Sequence, residues 1–177
     1  MTGVQTCALP IWFEVITSEG VARSRTLLLA TGRRGSPRKL GVPGEELSKV
    51  VYSLDDPNQY RGQDVLVVGG GDSALEAAIE LARFPVASVT LSYRGTSFSR
   101  AKPLNRQRFE ESLQGGLLHV LMESQVHSIE ADHVTLDQLG RHRMLRNDAV
   151  IICAGGMLPT SLLADVGVEV ERKYGTA

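Results

Sequence analysis

Three small residues at fixed spacing, Gly69, Gly71 and Ala74, form a Gly-x-Gly-x-x-Ala pattern suited to holding a pyrophosphate. Gly69 lets the chain turn sharply. Gly71, lacking a side chain, lets a phosphate approach the backbone, and Ala74 lets a helix pack closely on a strand. The flanking residues agree with this reading. Residues 65–68 are a purely aliphatic run, as a strand buried on both faces would be. After the glycines, Leu75, Ala78, Ile79 and Ala82 recur at helical spacing. Strand, tight turn and helix aim the first helical N–H groups at the phosphates, and the helix dipole helps. The predicted chemistry is dinucleotide binding. Its plain rival is a tight strand-to-helix turn with no ligand.

The end of the next strand, residues 88–93, bears on which dinucleotide is bound. An NAD enzyme usually carries Asp or Glu there, bonded to the ribose hydroxyls. Here residues 91–95 read Leu-Ser-Tyr-Arg-Gly, no acid is present, and Arg100 follows Arg94 in the same loop. A guanidinium suits a 2′-phosphate, so NADPH is the expected cofactor, with NADH the alternative. The plain rival is a pair of arginines covering a surface loop.

Other reactive residues read as structural. Cys153 lies in a run of β-branched residues and is expected to be a buried, inert thiol. His119, His127, His133 and His142 fall on strands or turns without a catalytic or metal partner, and surface or edge positions are expected. Arg33, Arg34, Arg38 and Lys39 form a basic run expected in a solvated linker.

These residues need positioning elements. Residues 13–17 and 22–29 read as two strands around a turn at Ser18-Glu19-Gly20. The second runs into Ala30, Thr31 and Gly32, which suits a point where backbone approaches a ligand. Residues 33–46 read as a linker rich in Gly, Pro and charge. After the glycine turn come a strand at 88–93, a basic loop to Lys102, a helix at 103–114 and a strand at 117–122. Strands at 125–130, 133–137 and 143–145 form a meander, with turns at Asp132 and Gly140. A buried strand at 148–153 then runs into Ala154 and Gly155. The predicted fold class is α/β: a Rossmann-like dinucleotide-binding domain with a parallel sheet and a small antiparallel β-meander.

The 177 residues suffice for one ordinary domain, or one domain plus a fragment. A net charge of −1 gives no sign of nucleic-acid or anionic-membrane binding. No apolar run approaches the roughly 20 residues that span a bilayer. The two cysteines, Cys7 and Cys153, form no metal or disulfide pattern, and a cytoplasmic location is expected. Residues 1–11 resemble a translated sequencing adapter and are set apart from the fold.

Residues 67–74, Val-Val-Gly-Gly-Gly-Asp-Ser-Ala, are similar to the NADPH-site fingerprint of the thioredoxin reductase-like branch of the two-dinucleotide-fold flavoprotein reductases. Leu29-Ala30-Thr31-Gly32 resembles the end of that family's FAD domain, and 150–156 with Pro159-Thr160 resembles its second crossing. The resemblance covers about residues 13–170. It implies that Gly69, Gly70, Gly71, Asp72, Ser73, Ala74, Arg94, Arg100, Ala154 and Gly155 hold the nicotinamide dinucleotide. Thr31 and Gly32 would face the FAD of a full-length parent. Glu76 matches a glutamate that lies near nicotinamide and flavin in related disulfide reductases, and is the catalytic candidate. The departures are specific. The two positions of the thioredoxin reductase Cys-x-x-Cys hold Tyr52 and Asp55, and in the His-Arg-Arg…Arg pattern Tyr93 and Gly95 replace His and the second Arg. No upstream Gly-rich FAD unit is seen, and the last FAD-binding segment is missing.

The expected organisation is a non-native or disordered tail at 1–11, an FAD-domain remnant and linker at 12–44, an NAD(P)H-binding domain at 45–160 and a return toward the FAD domain at 161–177. The expected function is the NAD(P)H-binding portion of an FAD-dependent oxidoreductase passing hydride from NADPH to FAD and on to an unknown acceptor. A flavin monooxygenase-type domain and an inactive nucleotide-binding fragment are the alternatives. A homodimer of the full-length parent is compatible with the resemblance.

Overall fold

The computed structural model describes residues 12–28, 36–157, 160–165 and 167. The chain divides into two compact units, Pro37–Met157 and, separately, Met1–Ser36 with Leu158–Ala177.

In the smaller unit, β1 (Phe13–Thr17) and β2 (Gly20–Ser24) form an antiparallel hairpin with Phe13 opposite Ser24 and Thr17 opposite Gly20. The second strand was expected to run from 22 to 29. It stops at Ser24, whose hydroxyl donates to Thr26 O (2.5 Å) and accepts from Thr26 N (3.3 Å). This local bonding offers the backbone an alternative to the ladder.

The larger unit is built on a parallel five-stranded sheet in the order β4-β11-β5-β6-β7. Its strands are β4 (Val50–Val51), β5 (Asp64–Val68), β6 (Ser88–Tyr93), β7 (Leu118–Met122) and β11 (Ala149–Ile152). Alternate residues of β5 point to opposite faces, and both faces are covered. Val65 and Val67 join a core with Leu75, Ala78 and Leu81 of α1 (Asp72–Leu81) and Phe109 of α2 (Pro103–Leu113). Leu66 and Val68 join a second core with Val126, Ile129, Val134 and Leu136. That second layer is the meander β8 (Ser124–Ile129), β9 (His133–Gln138) and β10 (Arg141–Arg146), ordered β10-β9-β8. The aliphatic run of β5 is therefore explained by burial on two sides, which leaves no position for a polar residue.

Residues 37–44 were expected in a linker but pack into this unit. Leu40 and Val42 sit against the meander-side core. Glu45 accepts from Leu40 N (2.8 Å) through Oε1 and from Gly41 N (2.7 Å) through Oε2, which closes the turn. Two-residue strands β3 (Ser36–Pro37) and β12 (Gly156–Met157) pair where the chain enters and leaves the unit, and Arg38 N donates to Gly155 O (3.0 Å). A 3-10 turn at Pro57–Tyr60 precedes β5, and a short helix, α3 (Thr160–Asp165), belongs to the smaller unit. Among the described residues no helix is long and apolar enough to cross a membrane.

Candidate dinucleotide-binding site

The glycine turn connects the C-terminal end of β5 to the N-terminus of α1, next to the ends of β6 and β11. In open parallel sheets this carboxyl edge is where ligands bind. The three glycines have different physical reasons. Gly69 has φ +148, and a Cβ there would lie 2.5 Å from Cys153 O and 3.0 Å from Ala74 Cβ. Its missing side chain lets β5 and α1 pass beside the end of β11. A Cβ on Gly70 would meet the ring of Tyr93 at 2.3 Å, so that position is closed by protein. A Cβ on Gly71 would meet nothing within 4 Å. Gly71 is the N-cap of α1, with extended backbone and no side-chain cap bond. Ala74 N is bonded to Gly71 O (3.0 Å), and the N–H groups before it point out of the helix end. The one glycine that the protein's own packing does not require thus stands at an open helix N-terminus.

The expected site residues fall as follows. Gly69, Gly70, Gly71, Asp72, Ser73 and Ala74 lie together on the turn and first helical residues, with Ala74 fully buried and Ser73 exposed. Arg94 and Arg100 are both exposed on the loop that leaves β6, and neither forms an ion pair among the described residues. Ala154 and Gly155 follow β11 at the same edge of the sheet, with Gly155 at φ +89. Thr31 and Gly32 lie outside the described residues, as do Cys7, Arg33 and Arg34.

Two carboxylates near the turn are committed elsewhere. Asp72 Oδ1 accepts from Lys102 N (2.8 Å) and from Asn105 Nδ2 (2.8 Å). The Lys102 N–H first, and then the Asn105 amide, hold the Asp72 carboxyl below the usual carboxylate range. Asp72 therefore turns its charge toward α2, and only its backbone N–H is left for an anion. Glu76, the catalytic candidate, is exposed and accepts from Asn105 Nδ2 (2.7 Å), which accounts for its carboxylate as a bond between α1 and α2.

Other expectations meet specific geometry. Cys153 is half-buried rather than buried, because it falls one residue past the end of β11. Its N–H still donates to Val68 O (2.7 Å). His119, His127 and His142 are exposed; the rings of His127 and His142 lie 4.5 Å apart on the meander, and no metal-binding group of three or more residues occurs among the described residues. His133 is half-buried, with Nδ1 2.7 Å from Asp132 Oδ1 and Nε2 3.6 Å from Glu130 Oε2. At the two positions of the missing cysteines, Tyr52 OH donates to Glu45 Oε1 (2.9 Å) and Asp55 Oδ1 accepts from Ser53 Oγ (2.9 Å).

Sequence reasoning missed three contributors. Tyr93 covers Gly70 and stacks on Phe98 (5.5 Å between centroids), and Phe98 meets Phe109 of α2 edge-on (5.2 Å). Asn105, only 7% exposed, joins Asp72 to Glu76. A visible signal for Tyr93 was the glycine on each side of its ring, Gly70 and Gly95, both of which a Cβ would drive into the ring.

Comparisons with known proteins show the family. Residues 9–176 match the profile of a family described as pyridine nucleotide-disulphide oxidoreductase. The chain is 31% identical over 166 residues to the bacilliredoxin reductase Bdr of Bacillus subtilis, covering 92% of this chain and 51% of that protein. It is 32% identical over 171 residues to a ferredoxin–NADP reductase of Thermus thermophilus, covering 90% and 50%. Among solved structures, thioredoxin reductase of Lactococcus lactis superposes with a TM-score of 0.77 at 28% identity, covering 89% of this chain and 54% of that one. The chain thus spans about half the length of the curated relatives it matches.

Proposed function

From its membership of the pyridine nucleotide-disulphide oxidoreductase family, to which the chain belongs, we propose that it is the NADPH-binding part of an FAD-dependent oxidoreductase. NADPH would supply a hydride when bound, its electron pair passing to FAD and on to an acceptor. The chain's own residues bind and orient. The N–H groups at the start of α1, beside the open Gly71, receive the pyrophosphate. Arg94 and Arg100 receive the 2′-phosphate, and Ala154 and Gly155 border the site at the end of β11. The three relatives are named for different acceptors: a bacilliredoxin, a ferredoxin and a thioredoxin. This chain matches about half the length of each.

The observation behind this reading is the empty space over Gly71, since no contact within the protein needs that position bare. Calorimetric titration of the chain with NADPH, repeated on Gly71→Ala, tests it. The added methyl should leave the melting temperature within about 1 °C and weaken NADPH about tenfold or more, equivalent to about 1.4 kcal/mol. Absence of binding in the parent, or equal affinity in the variant, overturns it.

A further inference from the structure

The loop bearing Arg94 and Arg100 is held at two places. Its middle is held by Phe98, which stacks on Tyr93 and meets Phe109 edge-on. Its far end is held where Ala101, 4% exposed, sinks beside α1 and Lys102 N donates to Asp72 Oδ1 (2.8 Å). Lys102 is the N-cap residue of α2 and makes no side-chain cap bond, so the carboxylate at that helix end comes from α1. Asn105 completes the joint. Its Nδ2 carries two N–H groups, and there are two acceptors one helical turn apart, Asp72 Oδ1 (2.8 Å) and Glu76 Oε1 (2.7 Å). A neutral double donor suits this position. Two carboxylates at i and i+4 repel each other, a third acid would add to that, and an apolar side chain would leave both without this donor. Asn105 itself is 7% exposed, so its amide has little access to water as an alternative partner.

We propose that Asn105 is a positioning residue that fixes the arginine loop against the first turn of α1, so that discrimination for the 2′-phosphate is set partly by a side chain acting through Asp72. The inference rests on the NADPH reading above and deepens it by naming what holds the phosphate-reading loop in place. Two exposed, flexible arginines discriminate only as well as the loop beneath them is held, because each degree of loop freedom must be given up on binding. Without the joint, residues 99–102 are released while the glycine turn, which serves NADPH and NADH alike, keeps its geometry.

The test measures dissociation constants for NADPH and NADH in the parent chain and in Asn105→Ala, together with the rate of tryptic cleavage after Arg100. Cleavage after Arg141, at the distant meander hairpin, serves as the internal reference. The expected result is a fivefold to tenfold weaker NADPH affinity, NADH unchanged within about twofold, and cleavage after Arg100 faster by about tenfold relative to Arg141. A purely structural role would instead weaken both dinucleotides equally or raise both cleavages together, and either result overturns the inference. So does an unchanged NADPH-to-NADH ratio in a folded variant. If Asn105→Ala does not fold, Asn105→Ser, too short to reach both carboxylates, weakens the same joint, and the same two readings decide. A parent with no NADPH preference refutes the phosphate reading itself. In that case, unchanged cleavage after Arg100 in the variant separately refutes the anchoring.

Discussion

The ring of Tyr93 lies against the backbone of Gly70, so close that a Cβ on Gly70 would stand 2.3 Å from Tyr93 Cε2. The end of β6 and the turn after β5 are thereby interlocked, aromatic ring on bare backbone. Gly70→Ala forces the ring off Phe98, because the ring has the Gly95 backbone on its other edge. Overpacking of this kind costs about 1–3 kcal/mol. Thermal denaturation should show Gly70→Ala falling by about 2–4 °C per kcal/mol. Gly70→Ala combined with Tyr93→Ala should lose less than the sum of the two single losses. Strict additivity would mean that the two residues do not couple.

Gly69→Ala should be the most damaging change on the turn. Its φ of +148 is unfavourable for any L side chain, and the new Cβ would meet Cys153 O, a backbone atom just past β11 that cannot swing away as a side chain would. Backbone strain of about 1–3 kcal/mol adds to the clash. Soluble yield and melting temperature should both fall well below those of Gly70→Ala. A variant as stable as the parent would show that β5 and β11 can separate at this point.

The α/β layout was legible because each of its signals is local. The aliphatic run of β5, the glycines, and the helical period of Leu75, Ala78 and Ile79 all lie within one short stretch, and tertiary packing reinforced them. The meander was legible from its turns, since Leu139 and Gly140 both take positive φ between β9 and β10. The failures were non-local. Residues 37–44 looked like linker because Gly, Pro and charge dominate them, yet Leu40 and Val42 find a core contributed by strands far along the chain. That the ring of Tyr93, more than twenty residues later, lies against Gly70 was not visible in the sequence. Nor was it visible that Asn105, which carries no sequence signature, donates to both Asp72 and Glu76.

Glu45 predicts a pH dependence. Burial would raise its carboxyl pKa, but the bonds from Leu40 N, Gly41 N and the Tyr52 hydroxyl outweigh that and hold it below its ordinary value. A carboxyl lowered in the folded state contributes stability above its unfolded pKa, about 4.3, and loses it as pH falls through the folded value. In Glu45→Gln, an amide nitrogen would face one of the two backbone N–H donors, donor against donor. The expected loss at pH 7 is about 1 kcal/mol, discounted for partial exposure. Chemical denaturation at pH 7 and at pH 3.5 should show the gap between parent and variant narrowing in acid. A gap that is constant across this range, or that widens in acid, would mean that the carboxylate charge does not hold the turn.

Cofactor preference follows from what leaves β6. A 2′-phosphate carries up to two negative charges, and a guanidinium meets it with paired hydrogen bonds. Arg94 is the first residue past β6, and Arg100 follows where the loop returns to α1; both are exposed and neither is tied into an ion pair among the described residues. The acid that would repel the phosphate, Asp72, has its carboxylate on Lys102 and Asn105. A charge-assisted hydrogen bond contributes about 1.5–3 kcal/mol. Two partly solvated ones should favour NADPH over NADH by roughly 10- to 100-fold in dissociation constant. Gly95, at the position of a second arginine in the related pattern, places the expectation at the lower end. Arg94→Ala should cost NADPH most of this preference and leave NADH within about twofold. The preference should also shrink as ionic strength rises, because both groups face solvent. An Arg94→Ala chain with the parent's NADPH-to-NADH ratio would show that Arg94 only covers the loop, and Arg100→Ala would then separate one reading arginine from none.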